Sequence, residues 1–114
     1  MELNYRLQEN GIRLLSLTGQ MDIIGTSTIE TKFAGYCAVN NAIILVDLSE
    51  VPFLASIGIR LLVFTAKAVS ARGGKMGIVG PNERVQEILD ITGIPNIIPI
   101  FSSLEEAEKI MLTP

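Results

Sequence analysis

Residues 42–48 read AIILVDL, a nearly continuous run of β-branched and aliphatic side chains. A strand with one wet face alternates apolar and polar residues, whereas a strand apolar at successive positions is buried on both faces at the centre of a sheet. Such a strand needs helices above and below it, which selects an α/β architecture. Helical segments are available at 57–72, 82–92 and 103–112.

The flanking sequence supplies the rest of the sheet. Residues 3–9 alternate weakly, with Leu3, Tyr5 and Leu7 on one side and Asn4, Arg6 and Gln8 on the other, as in an antiparallel edge strand. Asn10 and Gly11 signal a tight hairpin. The partner strand, 12–18, is more apolar and belongs further inside the sheet. Ser27 with Glu30 fits a capping box, predicting a helix that runs to about residue 39, with Ile29, Phe33 and Tyr36 or Cys37 inward and Asn40 and Asn41 closing it. Lys75–Val79 reads as a short strand between Gly73-Gly74 and Gly80-Pro81, with Pro81 in the first turn of the next helix. Val85, Ile88 and Leu89 give that helix its apolar face, and Gly93 ends it. A last short strand is expected at Asn96–Ile98, between Pro95 and Pro99. The final helix is announced by Ser102 with Glu105 and by Ser103 with Glu106, and its core face is Leu104, Ala107 and Met111 with Ile110 beside them. The pattern is β-β-α-β-α-β-α-β-α in one domain, 1–114, a mixed sheet opened by an N-terminal hairpin and carrying about four helices.

Composition narrows the function. Nine Lys and Arg against twelve Asp and Glu leave a net charge of -3, and the aromatics Tyr5, Phe33, Tyr36, Phe53, Phe64 and Phe101 are not interleaved with basic residues. A nucleic-acid surface needs a basic patch to replace phosphate counterions, so no direct nucleic-acid partner is expected. With one cysteine and no histidine, the chain lacks the material for a disulfide framework or a Cys/His zinc site, and no metal or cofactor is expected. Its apolar runs fall short of the roughly 18–20 residues that span a bilayer. The opening Met1-Glu2-Leu3-Asn4-Tyr5 carries no basic-then-apolar export pattern. A cytoplasmic domain without membrane insertion is the expectation.

Catalysis has little to work with. No histidine exists to deprotonate Ser56 or Cys37, and Asp47 with Glu50 is a carboxylate pair without a defined partner. Cys37, flanked by Tyr36 and Ala38, reads as a small buried hydrophobe. Gly73-Gly74-Lys75 follows a helix and precedes a strand, the reverse of a phosphate-binding loop, so it reads as a helix stop. The chain is not expected to be an enzyme.

The informative stretch is DLSEVPFLASIGIRLL, residues 47–62. After the central strand the chain turns, a short extended piece is expected to place Phe53 and Leu54 inward, and Ser56 is expected to cap the following helix. The free amides and positive dipole end of that helix would also stabilise a phosphate, and Arg60, four residues on, stands above Ser56. At helical spacing the exposed stripe is Ser56, Arg60, Phe64, Lys67 and Ala71, opposite Gly58, Leu61, Leu62, Thr65 and Val69. Phe64 on a solvated stripe beside two positive charges reads as a partner anchor, or as a ring folded onto a neighbouring helix.

This segment, with Gly19 and Asp22 in LTGQMD, the Gly73-Gly74 turn and VQEILDITGIPNIIPIF at 85–101, resembles the STAS domain, and within it the free-standing bacterial anti-sigma factor antagonists. The resemblance covers nearly the whole chain. It implies a STAS-like fold and partner switching. Unphosphorylated, such a domain binds an anti-sigma factor that is also a serine kinase; phosphorylated, it lets go; a PP2C-type phosphatase resets it. Ser56 matches the phosphoacceptor and Gly58 the glycine of the family's central motif. Ala55 stands where the family usually has Asp, and Ile57 where it usually has Ser or Thr. Asp22 matches a family aspartate, read either as part of the docking face or as a turn or cap residue. The expected partner-binding set is Asp22, Ser56, Gly58, Arg60, Phe64 and Lys67. The alternative is a non-switching STAS scaffold or accessory subunit of a stress-sensing or lipid or anion transport complex. The edge strand leaves self-association open.

Overall fold

In the computed structural model, which describes residues 1–113, five strands build one sheet in the order β1-β2-β3-β4-β5. The strands are β1 (Glu2–Leu7), β2 (Ile12–Thr18), β3 (Ile43–Glu50), β4 (Lys75–Val79) and β5 (Ile100–Phe101). The hairpin pair β1–β2 is antiparallel and every other pair is parallel, which is the mixed sheet the sequence predicts. Helices α1 (Ile23–Cys37), α2 (Ser56–Ala71), α3 (Glu83–Ile91) and α4 (Leu104–Met111) fill the intervals. None of the helices among the described residues is long and apolar enough to cross a membrane.

The apolar run at 42–48 becomes the middle of the sheet, extended to Glu50. Its side chains divide by parity. Ile44, Val46 and Leu48 enter a core shared with Ile29 and Phe33 of α1, Leu62 and Val69 of α2, and Val85 and Leu89 of α3. Leu45 turns to the other face, where Ala107 and Met111 of α4 cover it together with Ile12, Val79 and Phe101. Three consecutive crossovers of one hand place α1, α2 and α3 on one side, leaving α4 to close the other.

Several boundaries differ from the sequence reading, each for a local reason. The first strand is Glu2–Leu7 rather than 3–9, because the hairpin needs Gln8 to Gly11 for its loop, with Gly11 at φ 89°. Helix α1 begins a full turn before the Ser27–Glu30 box. Asp22 is its cap, and the Ser27 hydroxyl donates back to Ile24 O at 2.8 Å from inside the helix. It ends at Cys37, not about 39, and Asn41, at φ 57°, turns the chain into β3. Its inner stripe takes Cys37, while Tyr36 stacks on Tyr5 with centroids 4.1 Å apart. Asn82 caps α3 through Val85 N–H, so Pro81 lies ahead of the helix. The segment expected as a strand at 96–98 follows a 3-10 turn, Ile94–Asn96, that Pro95 and the left-handed Gly93 favour, and the strand forms at Ile100–Phe101 instead. Of the two hydroxyl signals for α4, Ser103 is the cap, accepting from Glu106 N–H at 3.2 Å, while Ser102 donates to the Glu106 carboxylate; Ile110, expected beside the core face, is exposed, because Ala107 and Met111 fill that face.

Candidate functional site

Two loops at the carboxyl ends of β2 and β3 are tied together. Met21 N–H donates to Phe53 O at 2.9 Å and Ala55 N–H to Met21 O at 3.0 Å, around a single parallel bridge between Met21 and Leu54. Both bridging side chains are buried. An extended bridge residue cannot also be helical, so the helices start just beyond it on each chain segment. The heads of α1 and α2 consequently lie side by side.

The two heads are finished differently. The Asp22 carboxylate accepts Gly25 N–H at 2.7 Å and caps α1. At α2 the cap position belongs to Ala55, held extended at φ -91° and ψ 169° by its bond to Met21, and it has no side chain to offer the first turn. Ser56 is therefore the first residue of the helix and not its cap, contrary to the sequence expectation. Its side chain is exposed above a helix start that carries no side-chain cap. Such a start retains the amide donors and the positive dipole end that favour an anion.

The stripe predicted along α2 is present. Ser56, Arg60, Phe64, Lys67 and Ala71 are all exposed, and Gly58, Leu62, Thr65 and Val69 are buried beneath, while Leu61, expected with them, is only half-buried. Phe64 is 62% exposed, which excludes the ring folded away onto a neighbouring helix. The Arg60 guanidinium lies 5.8 Å from the Phe64 ring centroid, within reach of a cation–π interaction. Arg60, Phe64, Lys67 and Ser56 line an open groove of about 750 Å³ together with Ile23, Ile57 and Val63.

Asp22 and Gly58 contribute from outside the lining. Asp22 orients α1 through its cap. At Gly58, α2 approaches the bridged loops closely: a Cβ there would stand 2.7 Å from Leu54 Cδ1 and 3.0 Å from Met21 Cβ. Of Phe53 and Leu54, both expected inward, only Leu54 is buried, since successive residues of an extended segment point to opposite sides.

The sequence reading missed Ile23, which is 75% exposed at the head of α1 and forms the groove's far wall. Helical spacing alone does not find it: three residues before Thr26, Ile23 stands at the margin of the stripe of Thr26, Ile29, Phe33 and Cys37, and its exposure follows from its place in the first turn, directly after the cap Asp22. Two other groups of chemical interest are occupied structurally. The Asp47 carboxylate accepts Ser49 N–H at 2.8 Å. Cys37 is buried, and desolvation pushes its thiol from 9.0 up to about 12, against a smaller opposing pull from Arg13.

A five-stranded mixed sheet with helices on both faces carries, on one helix, a solvent-facing aromatic and cationic stripe beside an apolar groove. The family model of the STAS domain matches residues 6–107, and the chain belongs to that family. It is 29% identical over 98 residues to the anti-sigma-F factor antagonist RsfB of Mycobacterium tuberculosis, covering 86% of this chain and 80% of that protein. An anti-sigma factor antagonist from Mycobacterium paratuberculosis has the same fold, with a TM-score of 0.89 at 21% identity over 98% of this chain and 94% of that one. The Bacillus cell fate determinant SpoIIAA, solved in its phosphorylated form, is similar with a TM-score of 0.71 at 17% identity, covering 96% of this chain and 98% of that one.

Proposed function

We propose that this chain is an anti-sigma factor antagonist, or a related partner-switching regulator of the bacterial cytoplasm. In this reading the α2 stripe binds an anti-sigma factor that is also a serine kinase, phosphorylation of Ser56 releases it, and a PP2C-type phosphatase resets the switch. The observation that carries the proposal is the exposed Ser56 side chain on the first turn of an uncapped helix, one turn below Arg60 and at the rim of an apolar groove. The names of the relatives, anti-sigma factor antagonists, support the same reading. The chemistry asked of the chain is that of a substrate, with ATP, magnesium and catalytic groups supplied by the kinase.

Phosphorylation would act by charge. It adds about -1.5 to -2 units at neutral pH, placed where partner side chains must lose water. Arg60 would leave the Phe64 ring to meet part of that charge, which softens the switch and removes part of the anchor at the same time. Arg60→Ala is accordingly expected to weaken binding of the unphosphorylated form and to sharpen the response to phosphorylation. Affinities of the wild type and Ser56→Asp, each with and without Arg60→Ala, for the cognate kinase test this. Equal affinities across the set overturn it.

Ala55 and Ile57, in place of the family's usual Asp and Ser or Thr, favour a second reading, a non-switching scaffold or accessory subunit of a stress-sensing or transport complex. Incubation with ATP, magnesium and the serine kinases encoded beside its gene, followed by intact mass measurement, separates the two. One added phosphoryl group that disappears in Ser56→Ala supports the switch, and an unmodified chain supports the scaffold.

A further inference from the structure

The sheet has two edges, the two-residue β5 and the six-residue β1, and the backbone directions of β1 follow from the hairpin. Gln8 N–H donates to Ile12 O at 2.8 Å and Gly11 N–H donates to Gln8 O at 3.0 Å, which closes the turn on Gln8 and Ile12 as a hydrogen-bonded pair. Hydrogen-bonded and non-hydrogen-bonded pairs alternate along an antiparallel ladder. In the register Arg6↔Leu14, Asn4↔Ser16 and Glu2↔Thr18, those three residues of β1 therefore direct their N–H and C=O groups to β2. Leu3, Tyr5 and Leu7 turn theirs to the open edge.

The side chains sort the other way. Glu2, Asn4 and Arg6 are exposed on one face, while Leu3 and Tyr5 pack on the helix side. Tyr5 is held in place by its stack on Tyr36 and by Arg13, which donates to its hydroxyl.

We propose that β1 pairs antiparallel with β1 of a second copy, about a two-fold axis at Asn4. In that register each Leu3 exchanges both backbone hydrogen bonds with the partner subunit's Tyr5. Glu2 lies opposite the partner subunit's Arg6, and Arg6 opposite the partner subunit's Glu2, in non-hydrogen-bonded pairs where side chains stand closest. Leu7, 56% exposed in the single chain, comes to lie opposite the partner subunit's Met1. Moving the axis to Leu3 sets Glu2 against Asn4, and moving it to Tyr5 sets Glu2 against Gln8. Either shift loses both charge pairs, so the sequence of the edge selects one register and one occupant, itself. Because β1 runs antiparallel to its copy, the two α2 grooves point to opposite ends of the joined sheet and neither is covered. The proposal is thus independent of what binds there.

Sedimentation velocity and equilibrium on the intact chain, from micromolar to millimolar concentration, test it. A reversible dimer is expected. Glu2→Arg or Arg6→Glu alone places like charges opposite each other twice and should raise the dissociation constant about tenfold or more, and the double exchange Glu2→Arg with Arg6→Glu should restore it. Both side chains are exposed, and circular dichroism checks that each variant stays folded. Amide exchange on the wild type gives a second readout, with Leu3 and Tyr5 N–H becoming protected as concentration rises. A chain that is monomeric throughout overturns the proposal. So does a dimer indifferent to the single reversals, a double exchange that fails to recover, or edge amides whose exchange ignores concentration.

Discussion

Gly58→Ala tests how tightly the groove is built. A methyl at Gly58 would stand 2.7 Å from Leu54 Cδ1, 3.0 Å from Met21 Cβ and 3.2 Å from Met21 Cε. The two terminal atoms can swing aside. Met21 Cβ cannot, because Met21 is pinned on both sides by backbone bonds to Phe53 and Ala55. Overpacking of this kind costs about 1–3 kcal/mol. Ala gains up to about 1 kcal/mol over Gly in a helix, less at a first turn, where the chain is only half committed. The net expectation is a loss of about 1–2 kcal/mol, or roughly 4–8 °C in melting temperature for a domain of this size. Urea unfolding at constant m-value measures it. Gly35→Ala is the matched control, since nothing lies within 4 Å of a Cβ built there and its φ is not positive. That exchange should stabilise by about 0.5–1 kcal/mol. If Gly58→Ala proves as stable as the wild type, the tight seat of α2 on the bridged loops is refuted.

Three further outcomes are expected. Ala55→Asp supplies the missing acceptor at an already extended cap position and should stabilise the chain by about 1 kcal/mol in urea unfolding; no gain would mean that the first turn of α2 is already satisfied. Thr26 is fully buried and its hydroxyl has no hydrogen-bond partner among the described residues, so Thr26→Val should stabilise by about 1 kcal/mol, and a destabilised variant would reveal a partner for that oxygen. The buried thiol of Cys37, raised from 9.0 to about 12, keeps its proton where the unfolded chain has lost it. Stability therefore falls between about pH 9 and 12, by up to about 1.4 kcal/mol per pH unit, and parallel pH profiles for the wild type and Cys37→Ala would contradict this.

Much of this was legible from side-chain pattern alone. The two-faced burial of 43–48 is visible because successive apolar residues admit no other strand, and the α2 stripe is visible because Arg60, Phe64 and Lys67 interrupt an otherwise aliphatic helix. The errors at the two helix starts share one cause. Capping boxes are local signals, whereas the start of α1 and of α2 is set by the pairing of Met21 with Leu54, a contact between loops far apart in sequence. Nothing in the residues around Ser56 announces that Ala55 will be held extended by Met21, so local pattern places the cap at Ser56, one position too late. Ile23 was overlooked for the same reason, since its place follows only after the helix has been started at Asp22.

The bridge between Met21 and Leu54 also bears on how such a module diversifies. Because Met21 is hydrogen-bonded to both Phe53 and Ala55, a residue gained or lost between 53 and 55 breaks the bridge. A change of length, the usual freedom of a loop, is closed at this point. What is left free is the identity of the side chains that surround a fixed frame, so recognition in proteins built this way is expected to change by substitution at positions such as 23, 57, 60 and 64, with the glycine at 58 unchanged.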